Sequence, residues 1–318
     1  MNSSLATCAA SIPHLALSGN RSMPVIGLGT AADSPGKETT KGAVIEAIKL
    51  GYRHFDTASV YGSEEFVGEG IAEAFHLGLV KSRDELFVTS KLWCSDNHPG
   101  HVIPALRRSL GYLRLEYVDL YLIHFPLSAK PWNMKFPFDK NEVVPFDMKG
   151  VWAEMEECKK MGLTKSIGVS NFSTKKLQNL LSFTTIPPSV NQVEMNPCWQ
   201  QNKLREYCKE KGIIVTAYSP LGAQGASWGT NNVMDNELLN EIAEANGKSV
   251  AQVCLRWLYE KGVSFVVKSY NKERMKKNLE IFDWSLNESD LEKIAQVKQH
   301  RMNLGPTTGL EDLFDGET

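Results

Sequence analysis

Along the chain, short apolar and β-branched runs alternate with longer stretches whose apolar positions recur at helical spacing. The short runs are Val25–Thr30 (VIGLGT), Arg53–Ala58 (RHFDTA), Leu86–Lys91 (LFVTSK) and Tyr117–His124 (YVDLYLIH). They continue with Ser166–Asn171 (SIGVSN), Ser189–Asn196 (SVNQVEMN), Ile213–Pro220 (IIVTAYSP) and Val263–Ser269 (VSFVVKS). The helical stretches between them are Lys37–Gly51, Ser63–Leu77, Pro99–Leu113, Lys149–Gly162, Ser173–Phe183, Asn202–Gly212, Met234–Gly247 and Asn271–Phe282. Ser173 has the position of an N-cap, and Gly212 that of the glycine that ends a helix. Strands that are apolar on both faces belong to a buried sheet, and strict strand–helix alternation makes that sheet parallel. Eight such units without an internal linker predict a closed (β/α)8 barrel, an α/β fold, rather than an open doubly wound sheet. The segment His14–Pro24 reads as a hairpin turning at Gly19-Asn20 and plugging one end. The chain is thus expected to be one domain over 1–318, with a core at about 14–286 and a tail, 287–318, over the active-site mouth. The longest predicted loops are Pro126–Phe146, Leu221–Asn232 and the tail, and loops of that length in a compact domain are usually functional.

Composition narrows the classes without choosing among them. The 318 residues are 42% hydrophobic and 23% charged, an ordinary globular balance. A formal net charge of −2 gives no global attraction to nucleic acid or to an acidic membrane. The six cysteines, Cys8, Cys94, Cys158, Cys198, Cys208 and Cys254, contain no C-x-x-C pair, so metal-ligand spacing is absent and reduced thiols are expected. The first residues carry no basic region followed by an apolar run, and no segment approaches membrane-span length. A cytoplasmic monomer is the expectation.

In a barrel the chemistry gathers where the strands end. The polar residues there are Asp56 with Tyr61 just beyond, Lys91, His124, Ser170-Asn171, Gln192, Tyr218-Ser219 and Lys268-Ser269. Singly, each has an ordinary reading: Asp56 as a helix cap, Tyr61 as packing, Lys91 as a snorkelling surface residue, His124 as a structural imidazole. Together, an acid, a phenol, an ammonium and an imidazole suit proton donation to a carbonyl oxygen. A phenol is a poor donor at neutral pH unless a cation stabilises the phenolate. Lys91 can supply that charge, Asp56 can hold Lys91, and His124 can orient the oxygen.

The reductant needs its own site. No G-x-G-x-x-G opens a helix here, and Gly27–Thr30 is too short for a dinucleotide fingerprint. Lys268, Ser269 and Arg274 instead flank the start of the last predicted helix of the barrel, where helix polarity and a guanidinium favour phosphate. A solvated basic helix face accounts better for Lys276 and Lys277 than for those residues.

The segments GYRHFDTASVYGSE, LFVTSKLW, YVDLYLIHFP, SIGVSNF, VNQVEMNP, TAYSPLG and VKSYNKERMKKNLEIFDWSL, in this order over about Val25–Leu286, resemble the aldo-keto reductases. The resemblance implies an eight-stranded barrel, NADPH as hydride donor and a tetrad of Tyr61, Lys91, Asp56 and His124. It places Ser170, Asn171 and Gln192 on the nicotinamide carboxamide, Tyr218 on the ring, and Ser219 and Leu221 along the pyrophosphate. Gly29, Thr30 and Asp56 join this cofactor set. Lys268, Ser269 and Arg274 would hold the 2′-phosphate, and Asn278 the adenine. Ala31, Val60, Trp93, His124 and Phe125 would line the substrate pocket, with Trp132, Trp228 and Phe314 as lesser contributors. Ala31 and Phe125 stand where the animal members carry an aromatic residue and a tryptophan, which implies a pocket reshaped for a bulkier ketone. Lys277 replaces an acid common beside the adenine contact. SKLWCSDNHPGHVIPAL, IPPSVNQVEMNP and the tail HRMNLGPTTGLEDLFDGE are similar to the plant branch of chalcone (polyketide), codeinone and methylecgonone reductases. That implies a carbonyl reductase of specialised metabolism, or a polyketide reductase working beside a chalcone-synthase-like partner. A non-catalytic cofactor sensor, as in the potassium-channel β subunits, is the alternative from another class.

Overall fold

Eight parallel strands close on one another, the last pairing with the first through Phe265–Ile26, Val266–Gly27 and Val267–Leu28. The computed structural model describes residues 12–18, 21–34, 36–131, 139–227, 229–302 and 313–317. The antiparallel hairpin β1 (His14–Leu17) and β2 (Arg21–Pro24) comes first, and its expected Gly19-Asn20 turn lies outside the described residues. The barrel then runs through β3 (Ile26–Gly29), β4 (His54–Asp56), β5 (Phe87–Leu92) and β6 (Val118–Ile123). A short hairpin, β7 (Ser128–Ala129) with β8 (Val143–Val144), stands in the long loop after β6, where no strand was predicted. The strands β9 (Thr164–Ser170), β10 (Val190–Glu194), β11 (Ile214–Tyr218) and β12 (Ser264–Val267) complete the barrel.

The helices return the chain along the outside. They are α1 (Lys37–Leu50), α2 (Glu64–His76), α3 (Val102–Leu113), α4 (Met148–Lys160), α5 (Thr174–Leu181) and α6 (Asn202–Glu210). Two helices rather than the one predicted, α7 (Glu237–Ala245) and α8 (Val250–Glu260), separate β11 from β12. The second starts at a capping box in which Ser249 and Gln252 bond reciprocally, a signal legible as S-x-x-Q but hidden by its apolar flanks. After α9 (Lys272–Leu279), the tail is not all loop: Asn287 caps a further helix, α10 (Glu288–Ala295). Ser173 caps α5 as expected, accepting from the Lys176 amide, and Gly212 follows α6 at φ +68. No described helix is long and apolar enough to cross a membrane, and the described residues hold no metal-binding cluster.

All residues of β5 and β6 are buried, because one side meets the barrel interior and the other the helices. Leu17 and Met23 of the hairpin pack with Phe87, Leu120, Leu122 and Val190, sealing the barrel at the end where these strands start. Above this seal His54 fills the interior, with its ring nitrogens near the Pro24 carbonyl at 3.3 Å and the Thr89 hydroxyl at 3.2 Å. Gly27 makes room for it, since a Cβ there would lie 2.8 Å from the ring.

Burial, only partly offset by the nearby Asp56 charge, lowers His54 from 6.5 to about 4. A folded-state pKa below the unfolded one means that the unfolded chain binds the proton first as pH falls. We predict that stability is lost as pH drops from about 6.5 towards about 4 through this residue, by a few kcal/mol at most. Urea midpoints across this range should fall less steeply in His54→Gln than in the native chain. Parallel slopes would assign the acid sensitivity to other groups.

Candidate active site

The polar ends of three adjacent strands and one turn converge at the barrel mouth. Asp56 is the last residue of β4, Lys91 lies in β5, and His124 directly follows β6. Tyr61 ends a one-turn 3-10 helix, Ser59–Tyr61, which Gly62 stops in the left-handed region at φ +64. The Ser59 hydroxyl donates to the Lys91 carbonyl at 3.1 Å, tying this turn to β5. Asp56 does not cap α2, whose N-cap residue is Ser63.

Lys91, with no exposed surface, is the hub. Its Nζ donates to Asp56 Oδ1 at 2.5 Å, to the Thr57 carbonyl at 3.0 Å and to the Tyr61 hydroxyl at 3.4 Å. The second carboxylate oxygen of Asp56 accepts from Gln192 Nε2 at 2.8 Å. Across the site, Tyr61 OH stands 3.5 Å from His124 Nε2. The Tyr61 and Trp93 rings both meet the His124 ring edge-on, at 5.5 and 5.2 Å, and Phe125 stacks on it at 5.4 Å.

These surroundings set the protonation states. Burial, with the Lys91 charge adding to it, drives His124 well below the usual imidazole range, so it is neutral. Its buried Nδ1 has no hydrogen-bond partner among the described residues, which favours the tautomer with the proton on Nε2, facing Tyr61. Burial likewise lowers Lys91, while Asp56 pulls the other way and favours the ammonium. Tyr61 runs against the simple sequence expectation of a phenol eased towards ionisation by lysine. Burial and then the Asp56 charge hold it well above 10, and the lysine lies closer to Asp56 than to the phenol. In the resting site the phenol therefore keeps its proton, which is the form a donor needs.

The other expected residues fall into two groups. One is a hydrogen-bonded row along the strand ends: Asn171 Nδ2 donates to the His124 carbonyl at 2.9 Å, Tyr218 OH donates to Asn171 Oδ1 at 2.6 Å, and Ser170 Oγ donates to the Gln192 carbonyl at 2.7 Å. Asn171 and Ser219 are left-handed at φ +63 and +48, a conformation costly for non-glycine residues and concentrated at functional sites. Thr30 is fully buried, with its hydroxyl on the Asp56 carbonyl, next to Gly29 at the end of β3; Leu221 is half-buried against the core.

The second group surrounds the start of α9. Lys268 and Arg274 are exposed, and Arg274 has no acidic partner among the described residues. Ser269 is buried, and Asn271 caps the helix by accepting from the Arg274 amide at 2.9 Å. Asn278 is buried, and beside it the Tyr52 hydroxyl donates to the Met275 carbonyl of the helix at 3.0 Å. An uncommitted guanidinium, an ammonium and a helix N-terminus form a donor set that fits a phosphate. Taken with the amide and hydroxyl row, it fits an extended NADPH.

Of the residues expected at the substrate pocket, Trp93, Phe125 and Val60 share an apolar cluster with Leu127, Ala129 and Leu313. Phe314 packs against it, Ala31 stays half-exposed beside Thr30, and Trp132 and Trp228 lie outside the described residues. The sequence did not single out Leu313, a tail residue without any periodic context. It also did not single out Asn97, whose Nδ2 donates to the Phe125 and Leu127 carbonyls at 3.2 and 2.7 Å and so fixes this wall.

The Aldo/keto reductase family model matches residues 25–299. The chain is 63% identical to an NAD(P)H-dependent 6'-deoxychalcone synthase of Glycine max, over 94% of this chain and 95% of that protein. It is 57% identical to the (1S)-1,7-diacetoxy-luvungin A aldo-keto reductase of Citrus sinensis, over 93% and 95%. With deoxymugineic acid synthase 1-D of Triticum aestivum it shares 56% identity over 93% and 96%. Among solved structures, a Bombyx mori aldo-keto reductase in complex with NADP superposes with a TM-score of 0.84 at 39% identity, covering 93% of this chain and 96% of that one. The chain belongs to the aldo/keto reductase family and is an NADPH-dependent oxidoreductase.

Proposed function

We propose that the enzyme reduces a ring-bearing ketone or aldehyde of plant specialised metabolism, with Tyr61 as proton donor. The observation that carries this reading is the convergence of Asp56, Lys91, Tyr61 and His124 at one point of the barrel mouth. The substrate oxygen takes a place within reach of Tyr61 OH and His124 Nε2. NADPH, held by Ser170, Asn171, Tyr218, Lys268, Ser269 and Arg274, supplies the hydride when bound. As negative charge grows on the oxygen, Tyr61 transfers its proton and His124 donates a hydrogen bond from Nε2. The phenolate left behind is stabilised by Lys91, which Asp56 keeps charged despite burial. Gln192 and Thr57 hold the acid and the ammonium in place, so neither reorients during the transfer. The aromatic and aliphatic wall of Trp93, Phe125 and Val60 supports a substrate with a flat apolar body.

A second reading has its own support. The Glycine max relative carries the name 6'-deoxychalcone synthase, at 63% identity. On this reading the substrate is a polyketide intermediate handed over by a chalcone-synthase-like partner.

NADPH consumption, followed against an aromatic aldehyde, a bicyclic alkaloid ketone, a morphinan ketone and a coupled chalcone synthase reaction, separates the two. Turnover of a free ketone supports the stand-alone enzyme; a reduced product only in the coupled reaction supports the partnered one. Tyr61→Phe should lower kcat by about 10²–10⁴-fold and leave the Kd for NADPH within about twofold. A variant that still turns over normally would remove Tyr61 as the donor. Arg274→Ala should weaken NADPH by about ten- to a hundredfold while NADH changes little, because only NADPH carries the 2′-phosphate. Equal losses for both would place Arg274 elsewhere on the cofactor.

A further inference from the structure

The last described residues are bound to the barrel by charge. Asp315 Oδ2 accepts from Lys176 Nζ and from Ser173 Oγ, each at 2.5 Å, and Lys175 Nζ stands 3.8 Å from Oδ1. Glu317 Oε1 accepts from the Thr174 amide at 2.7 Å. Both acids thus sit on the first turn of α5, where free amides and two lysines favour negative charge. Partial burial alone would raise Asp315, but the bonds from Lys176 and Ser173 outweigh it and hold this carboxyl below its ordinary range. From the other side, Arg301 lies 3.8 Å over the Phe314 ring and 4.7 Å over Trp199, and donates to the Glu317 carbonyl at 3.2 Å.

This anchorage has two consequences for the site. Residue 173 follows the Ser170-Asn171 strand end by two positions, so the tail is bound to the same segment that carries the Asn171 bond to the His124 carbonyl. Leu313, two residues before Asp315, is thereby set into the cluster of Trp93 and Phe125, the rings that touch His124.

We propose that Asp315 is a positioning residue that sets substrate size: its charged docking on α5 holds Leu313 as one wall of the carbonyl pocket. This rests on the carbonyl-reductase reading above and adds a named determinant of specificity to it. A small aldehyde reaches Tyr61 and His124 without touching Leu313; a multi-ring ketone extends to it.

The test compares p-nitrobenzaldehyde with phenanthrenequinone in the native enzyme, in Asp315→Asn, and in the charge swap Asp315→Lys with Lys176→Asp. Amide hydrogen exchange over 313–317 is measured in parallel. Asp315→Asn should raise KM for the quinone about five- to tenfold, the worth of one partly lost leucine contact. Its kcat, its KM for the aldehyde and its Kd for NADPH should stay within about twofold, exchange over 313–317 should accelerate, and the charge swap should recover part of the KM split. Unchanged KM for the quinone, or equal losses on both substrates, would overturn the assignment. If the native enzyme reduced neither compound, the reductase reading would be at fault, while unaltered exchange in Asp315→Asn would by itself dismiss Asp315 as the anchor.

Discussion

A lysine with no exposed surface, paired with a buried aspartate at the mouth of a barrel, is the interaction on which the rest of this structure depends. Taking both charges out of water costs several kcal/mol, which the pair alone seldom recovers. Here the deficit is met by additional bonds: the Thr57 carbonyl on Lys91, and the Gln192 amide on Asp56. Those bonds come from separate strands, so the pair persists only while β4, β5 and β10 keep their register. The barrel is in this sense the support for one ammonium group.

From that ammonium the protonation pattern follows. It adds to the burial that keeps the neighbouring imidazole neutral and offers a positive charge to the phenol oxygen, while burial and then Asp56 keep the phenol loaded with its proton. The two opposing influences on Tyr61 matter in different states. Burial and the acid govern the resting site; in the proposed reaction the lysine would count most once the phenolate began to form. A phenol that is hard to ionise at rest and stabilised after transfer would suit the proposed protonation of an oxygen that becomes basic only during the reaction.

The strand ends around the pair are tied to one another rather than left as independent loops. The row from His124 through Asn171 to Tyr218 links three strands, and the left-handed residues Asn171 and Ser219 turn the chain sharply at that edge. The apolar wall is assembled from more distant pieces: Trp93 from the end of β5, Phe125 from the end of β6, and Leu313 from the tail. On the proposed reading, specificity would reside in loops whose placement depends on contacts remote from the chemistry, such as Asn97 under Phe125 and Asp315 on α5.

Much of this was legible in the residues. The alternation of apolar runs and helical stretches specified eight parallel strands, since strands buried on both faces leave no polar alternation. The tetrad residues lie at strand ends or just after, where the barrel geometry collects them, so position along the chain was enough to group them. The capped starts of α8 and α10 are present as Ser249 and Asn287, but they stand outside the one-strand, one-helix alternation that marks the other elements. What the sequence could not carry is how groups far apart along the chain meet and which of their bonds prevails. That Gln192 would brace Asp56, that Lys91 would lie nearer the acid than the phenol, and that Leu313 would join the cluster of Trp93 and Phe125 are facts of three-dimensional distance. Hydrogen bonding and burial act over a few ångströms, and only the closed barrel brings residues more than a hundred positions apart within that range.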